Sequence, residues 1–186
     1  LAAQHRSRFA IPVIGITGSN GKTIVKEWLY QLLQPDYVIV RSPRSYNSQI
    51  GVPLSVWQMS ERHTLGIFEA GISAPGEMER LAAIIQPTLG VLTNIGAAHD
   101  EGFIDHAQKL AEKIRLFEKA PALVAAKDYI CDTIHYSGEL ITWGAAAGNT
   151  LQVIQQQING PVTVVTAVYK NQQLGLTIPF TDTMSV

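Results

Sequence analysis

The chain has 186 residues, 46% of them hydrophobic and 16% charged, with a formal net charge of −1. That length holds one domain with a real core, and that charge supplies no global field to attract nucleic acid or an anionic membrane. No apolar run approaches the ~20 residues that span a bilayer, so membrane insertion is not expected.

In chain order, the opening LAAQHRSRFAIPVIG carries two arginines but no long apolar region before a cleavage site, which makes a poor signal peptide. IPVIGIT follows as a compact β-rich run. In TIVKEWLYQLL the residues Ile24, Val25, Trp28, Leu29, Leu32 and Leu33 recur at helical spacing. YVIV (37–40) reads as a strand, and the loop RSPRSYNSQIG leads to a helix near 51–59. LGIFEAG (65–71) is a strand, and Pro75-Gly76 opens a helix that runs to about Ile85. TLGVLTN (88–94) is a strand, and DHAQKLAEKIRLFEK (105–119) a helix with Asp105 as N-cap, before the short strand ALVAA. Such alternation predicts an α/β fold, a mostly parallel sheet flanked by helices. After about residue 138 the texture becomes strand on strand, with KNQQ as a turn, which predicts a small antiparallel section. The single Cys131 forms no intramolecular disulfide and suits a reducing compartment, so the cytoplasm is the default. The chain opens at Leu1 and stops at FTDTMSV without a clear last element, and reads as a piece of a longer protein.

Chemistry concentrates first in VIGITGSNGKTIVKEWL, a strand, a glycine-rich turn and a helix. The turn ends like a phosphate loop, yet the usual G-x-x-x-x-G-K-[ST] wants glycine where this chain has Ile16. Gly18 and Gly21 let backbone N–H groups converge on phosphate oxygens across Ser19 and Asn20, and the helix start adds partial positive charge. Lys22 is placed to contact the β- and γ-phosphates and Thr23 to hold Mg²⁺. The bland alternative is a tight turn with an exposed lysine, but strand and helix flank the turn as a nucleotide site requires.

Ligands of an open parallel sheet bind beyond the carboxyl ends of its strands. Glu69 ends the apolar run LGIF, and Asn94 ends LGVLT with His99 five residues on, so three strands deliver polar groups to one edge. A carboxylate closing an apolar strand is where Mg²⁺ is held. Alone, Glu69 could be a solvated strand end and His99 a hydrogen-bonded loop histidine; convergence favours both as site residues. Weaker signals are set aside. His99 and His106 lack the H-E-x-x-H spacing of a zinc site, no G-x-S-x-G elbow accompanies Ser19 or Ser73, and Cys131 reads as a packed thiol.

The runs GITGSNGKT, NSQIGVPLS, FEAGISAPGEM, TNIGAAHDEGF and AEKIRLF resemble, in order and spacing, the central ATPase domain of the Mur ligases, ATP-dependent amide ligases of peptidoglycan precursor synthesis. The shortened loop G-x-x-G-K-[ST] is that family's version, shared with folylpolyglutamate synthases, and Ile16 then belongs to the preceding strand. EAGISAPGEME and AAHDEGF are similar to the member that adds D-alanyl-D-alanine to UDP-N-acetylmuramoyl-tripeptide. RSPRSYNSQIGVPLSVW departs from the asparagine-rich N-x-N-N-x-I-G pattern and resembles a subgroup fused to an alanine racemase. That departure leaves both Asn47 and Gln49 as candidates for the γ-phosphate contact.

The resemblance implies one domain of three, covering 1–186, with the domains that hold the UDP substrate and the incoming amine flanking it. It implies ATP and two Mg²⁺ ions, one served by Thr23 and Glu69, the other by His99 and a carbamylated lysine, with Asn94 also at the nucleotide. The family position of that lysine falls on Lys113. From the residues themselves, Leu110, Ala111, Ile114 and Phe117 make the buried stripe and Lys113 borders it, with Lys109 as the rival one turn earlier. A solvated surface lysine is the ordinary alternative. Rival functions are a folate-polyglutamating ligase, against which the P-G-E and A-A-H-x-E-G-F runs argue, a nucleotide-binding module without catalysis, and a P-loop kinase, for which no arginine-rich lid is seen.

Overall fold

Val13–Thr17 (β1) is buried at every position, which marks a central strand covered on both faces. The computed structural model describes residues 1–96, 102–130, 136–179 and 181. β1 pairs in parallel with Leu65–Glu69 (β3) and with Leu89–Leu92 (β4). Ile39–Arg41 (β2) lies outside β3, and Ala122–Ala126 (β5) and Glu139–Gly144 (β6) extend the sheet beyond β4. Leu151–Asn159 (β7), Val162–Tyr169 (β8) and Gln172–Ile178 (β9) complete one nine-stranded sheet of order β2-β3-β1-β4-β5-β6-β7-β8-β9.

Helices cover both faces of the parallel part. Lys22–Leu33 (α2) lays Val25, Leu29 and Leu33 on Ile14, Ile16, Leu65 and Ile67. Gly51–Val56 (α3), Glu77–Ile85 (α4) and His106–Ile114 (α5) close the larger core, in which Phe68, Met78, Leu81, Leu92 and Phe117 are fully or almost fully buried. Asp105 caps α5 as the sequence predicts, its carboxylate accepting from the Gln108 N–H at 2.7 Å. Because β1, β3 and β4 run the same way, with Ile16 level with Glu69 and Thr17 level with Leu92, their carboxyl ends share one edge. No helix among the described residues is long and apolar enough to cross a membrane.

Several expectations need revision. The antiparallel section begins one strand later than the texture suggests. β6 pairs in parallel with β5 from Ala122↔Glu139 to Ala126↔Trp143, and β7 also enters parallel to β6. Among the described residues only the β7–β8 and β8–β9 ladders are antiparallel. A short strand's residues report burial, not direction. The KNQQ turn is confirmed, with Lys170 and Asn171 both at positive φ, as a tight hairpin requires. On α2, Ile24 and Leu32 are exposed while Lys26 is fully buried. On α5, Ala111 is exposed, and the buried arc runs through Lys109, Leu110, Lys113 and Ile114 to Phe117. That arc faces backbone carbonyls as well as apolar side chains, so it accepts two lysines.

A short N-terminal helix, Ala2–Arg6 (α1), has no apolar period to announce it. Arg6 fixes it by donating to the carbonyls of Ile85 at 2.9 Å, Phe9 at 2.6 Å and Gln86 at 3.1 Å. Removing a buried guanidinium strands those acceptors, so Arg6→Ala is expected to cost about 1–3 kcal/mol. Denaturant unfolding reads the loss; an unchanged midpoint would show that α1 is an appendage.

Candidate nucleotide and metal site

β1 ends in Thr17, and the chain turns through Gly18–Gly21 into α2. Gly18 has φ +150° and Gly21 φ +78°, values that favour glycine. A Cβ on Gly18 would also overlap the Thr93 hydroxyl, so the loop lies against the end of β4. Gly21 stands at the N-cap without a side-chain cap, so the first N–H groups of α2 are left for a ligand.

The β4 end builds the floor of this loop. Asn94 Oδ1 accepts from the Asn20 N–H at 2.9 Å, and the Asn94 carbonyl accepts from the Ser19 N–H at 2.9 Å. Ser19 Oγ donates to the Gly96 carbonyl at 3.1 Å and accepts from the Gly96 N–H at 3.0 Å. Thr93 Oγ1 donates to the Asn20 carbonyl at 2.6 Å. Asn94 and Ser19 therefore shape the loop from beneath.

Lys22 Nζ folds back on the loop, donating to the Gly18 carbonyl at 2.9 Å and the Ser19 carbonyl at 3.3 Å. Burial lowers its pKa, while the nearby Glu69 charge raises it and Lys109 lowers it further. Thr23 Oγ1 donates to Glu69 Oε2 at 2.9 Å. Glu69 itself is fully buried, its other oxygen 2.8 Å from Lys26 Nζ. The fold thus brings Thr23 and Glu69 together at the loop.

Lys113 is 2% exposed, and its Nζ donates to the Gly18 carbonyl at 3.2 Å. Its pKa is lowered to about 8, first by burial and then by the positive charges of Lys22 and Lys109. Lys109 is buried too, and its Nζ donates to the Gly96 carbonyl, while Lys22 and Lys113 line a common cavity. That cavity, about 310 Å³, is walled by Asn47, Gln49, Gly71 and Glu77. Asn47 packs on Gly71, whose N–H donates to the Asn47 carbonyl at 2.8 Å. Gln49 Nε2 donates to the Glu77 carbonyl at 3.1 Å. The Glu77 carboxylate is held below its usual range, chiefly by the Ser73 N–H.

Among the described residues no group of three or more His, Cys, Asp or Glu converges as a metal cage. One carboxylate and one hydroxyl suit Mg²⁺, which is commonly held by one or two protein oxygens together with substrate phosphates. His99 and Cys131 lie outside the described residues. The sequence reading missed Lys26, whose signal was its place on the inward stripe with Leu29 and Leu33. It also missed the support given by Ser42, Thr93 and Gly96.

The pattern of the Mur ligase middle domain matches residues 16–182. A UDP-N-acetylmuramoyl-tripeptide–D-alanyl-D-alanine ligase from Synechocystis is 34% identical over 157 residues, covering 80% of this chain and 34% of that protein. The crystal structure of MurF from Acinetobacter baumannii superposes with a TM-score of 0.87 at 21% identity, over 99% of this chain and 42% of that one. MurF from Thermotoga maritima in complex with ADP gives 0.84 at 23% identity, over 95% and 42%. The chain spans about a third of the length of the curated Synechocystis relative. With the family pattern covering most of its length, the chain belongs to the Mur ligase family, as a middle domain.

Proposed function

We propose that the chain is the nucleotide-binding part of an ATP- and Mg²⁺-dependent amide ligase of peptidoglycan precursor synthesis. Its reaction joins D-alanyl-D-alanine to UDP-N-acetylmuramoyl-tripeptide. The observation that carries this is the Thr23–Glu69 pair standing with Lys22 and Lys113 beside one loop at the carboxyl edge. The names of the relatives supply the substrates.

In the reaction, the terminal carboxylate of the peptide attacks the γ-phosphorus of ATP, and the β–γ bridge breaks to leave ADP and an acyl phosphate. The amine of D-alanyl-D-alanine then attacks the acyl carbon. The tetrahedral intermediate expels phosphate, and the amine's proton leaves to give the amide. Two anions meet in the first step, so fixed positive charge must face them. Lys22 supplies it by exchanging the Gly18 and Ser19 carbonyls for the β- and γ-phosphates, while Gly18–Gly21 and the start of α2 cradle the same oxygens. Thr23 and Glu69 would hold one Mg²⁺, and His99 and a carbamylated Lys113 the other. When bound, the ions neutralise phosphate charge and orient the γ-phosphoryl group. Asn47 is the proposed γ-phosphate contact, a reading supported by the Gln49 amide N–H donating instead to the Glu77 carbonyl.

Two measurements test the reading. In the complete ligase, phosphate release should require both UDP-N-acetylmuramoyl-tripeptide and D-alanyl-D-alanine; release with a folate and glutamate instead would overturn the substrate assignment. The 186-residue chain should bind Mg–ADP only weakly and form no amide, since catalysis needs both substrates held in near-attack geometry. Substantial amide formation by this chain would refute the division of labour among domains.

A further inference from the structure

Lys26 takes no part in the reaction above, yet its side chain is fully buried where three segments meet. An ammonium has three N–H donors and no acceptor. Here it donates to the Ser42 carbonyl at 2.8 Å and to the Arg44 carbonyl, and it is ion-paired with Glu69 Oε1 at 2.8 Å. Glu27 Oε1 lies 3.2 Å away as a second, half-exposed carboxylate. The Glu69 N–H closes the circuit by donating to Ser42 Oγ at 3.1 Å.

A buried ion pair is a poor stabiliser, since well-packed apolar residues often do as well or better in its place. The direction of the contacts says more. Thr23 and Lys26 are one helical turn apart, and each takes a different oxygen of the same carboxylate. The carboxylate plane is thereby fixed, with Oε2 on the Thr23 side. The two carbonyls that Lys26 also holds belong to the segment leading, three residues on, to Asn47 in the cavity wall.

We propose that Lys26 is a positioning residue for the metal–nucleotide complex. It locks one oxygen of Glu69 so that the other, with the Thr23 hydroxyl, is presented to Mg²⁺. It also ties down the 42–44 backbone, so that Asn47 stands on the same cavity as Lys22. The inference rests on the nucleotide-site reading above and adds to it a residue that touches neither ligand.

The test is calorimetric titration of the full chain with millimolar ADP, once with excess Mg²⁺ and once with EDTA. The ratio of the two affinities measures what Mg²⁺ contributes. Supporting groups behind a metal ligand are worth about 10- to 100-fold in metal affinity. Lys26→Met, similar in length but uncharged, should therefore cut the ratio by at least about ten-fold and leave metal-free ADP binding within about two-fold. Lys26→Arg should recover part of the loss by restoring the charge. An unchanged ratio in folded Lys26→Met overturns the proposal, as does an equal loss with and without Mg²⁺, which would mark a purely structural role. Should Lys26→Met fail to fold by circular dichroism, Lys26→Gln decides by the same ratio. If the unaltered chain gains nothing from Mg²⁺ in binding ADP, the nucleotide-site reading falls and takes this inference with it. A gain in the unaltered chain that Lys26→Met retains sinks the inference alone.

Discussion

Replacing Lys22 by alanine in the complete ligase is expected to lower turnover by about a thousand-fold, with little effect on stability. The first chemical step brings a carboxylate against the doubly charged γ-phosphate, and its transition state spreads charge over the γ-oxygens. Fixed donors aimed at such charge are worth about 10²–10³ in rate individually, and cationic groups on a transferring phosphoryl more. Lys22 is the cation whose side chain springs from the loop itself, four residues from Gly18, whose carbonyl it holds. In the absence of ligand those contacts are replaceable by water, so alanine should leave the fold within about 0.5 kcal/mol of the original. Steady-state phosphate release and thermal melting together read the result. A variant that melts normally and still ligates near the original rate would refute the phosphate-loop reading. Lys22→Arg is expected to be almost as poor, because the planar fork does not fit where a compact ammonium turns back on the loop.

Much of this site was legible because its chemistry is local in sequence. The glycines of the loop, the lysine and threonine that follow, and the strand and helix on either side all lie within Val13–Leu33. Glu69 and Asn94 were legible for a topological reason, since parallel strands must bring their carboxyl ends to one edge. Their roles were less so. Asn94 reads as a ligand contact from its position, yet its amide oxygen and carbonyl support the loop. Lys26 was hidden because a lysine on a helix is usually solvated, and only the approach of the Ser42 and Arg44 carbonyls makes its burial tolerable. Ala111 failed in the opposite sense, as an apolar residue one place off the arc that packs. The direction of β6 depends on which neighbour it meets, and periodicity carries no information about that.

Lys113→Ala is expected to abolish ligation in the complete enzyme to a similar degree, whereas Lys109→Ala, which removes only the smallest of the three causes acting on the Lys113 pKa, should cost much less. Lys113 Nζ sits 3.2 Å from the Gly18 carbonyl, and burial, followed by the positive charges of Lys22 and Lys109, lowers its pKa to about 8. At pH 7 about a tenth of such a side chain is the neutral amine, against about one in three thousand for an ordinary lysine. The neutral amine can attack CO₂: the N–C bond forms, a proton leaves nitrogen, and the product is a carbamate anion. The same two lysines that disfavour an ammonium favour that anion, and a carbamate offers Mg²⁺ the oxygen ligands it prefers. The pH dependence has a definite sign. Because the folded pKa is below the unfolded value, folding binds fewer protons between about pH 8 and 10.5, so this group's contribution to stability rises with pH across that window. At a fixed concentration of dissolved CO₂, the onset of activity in CO₂-stripped enzyme should likewise quicken from pH 6.5 towards pH 8, as more of the side chain becomes the neutral amine. Mass spectrometry after chemical trapping, or density beyond Nζ in a metal-bound crystal, identifies the modified side chain. Wild-type activity in Lys113→Ala with a dead Lys109→Ala would mean the carbamate sits one turn earlier on α5. Normal activity in both variants would remove the carbamate from this enzyme altogether.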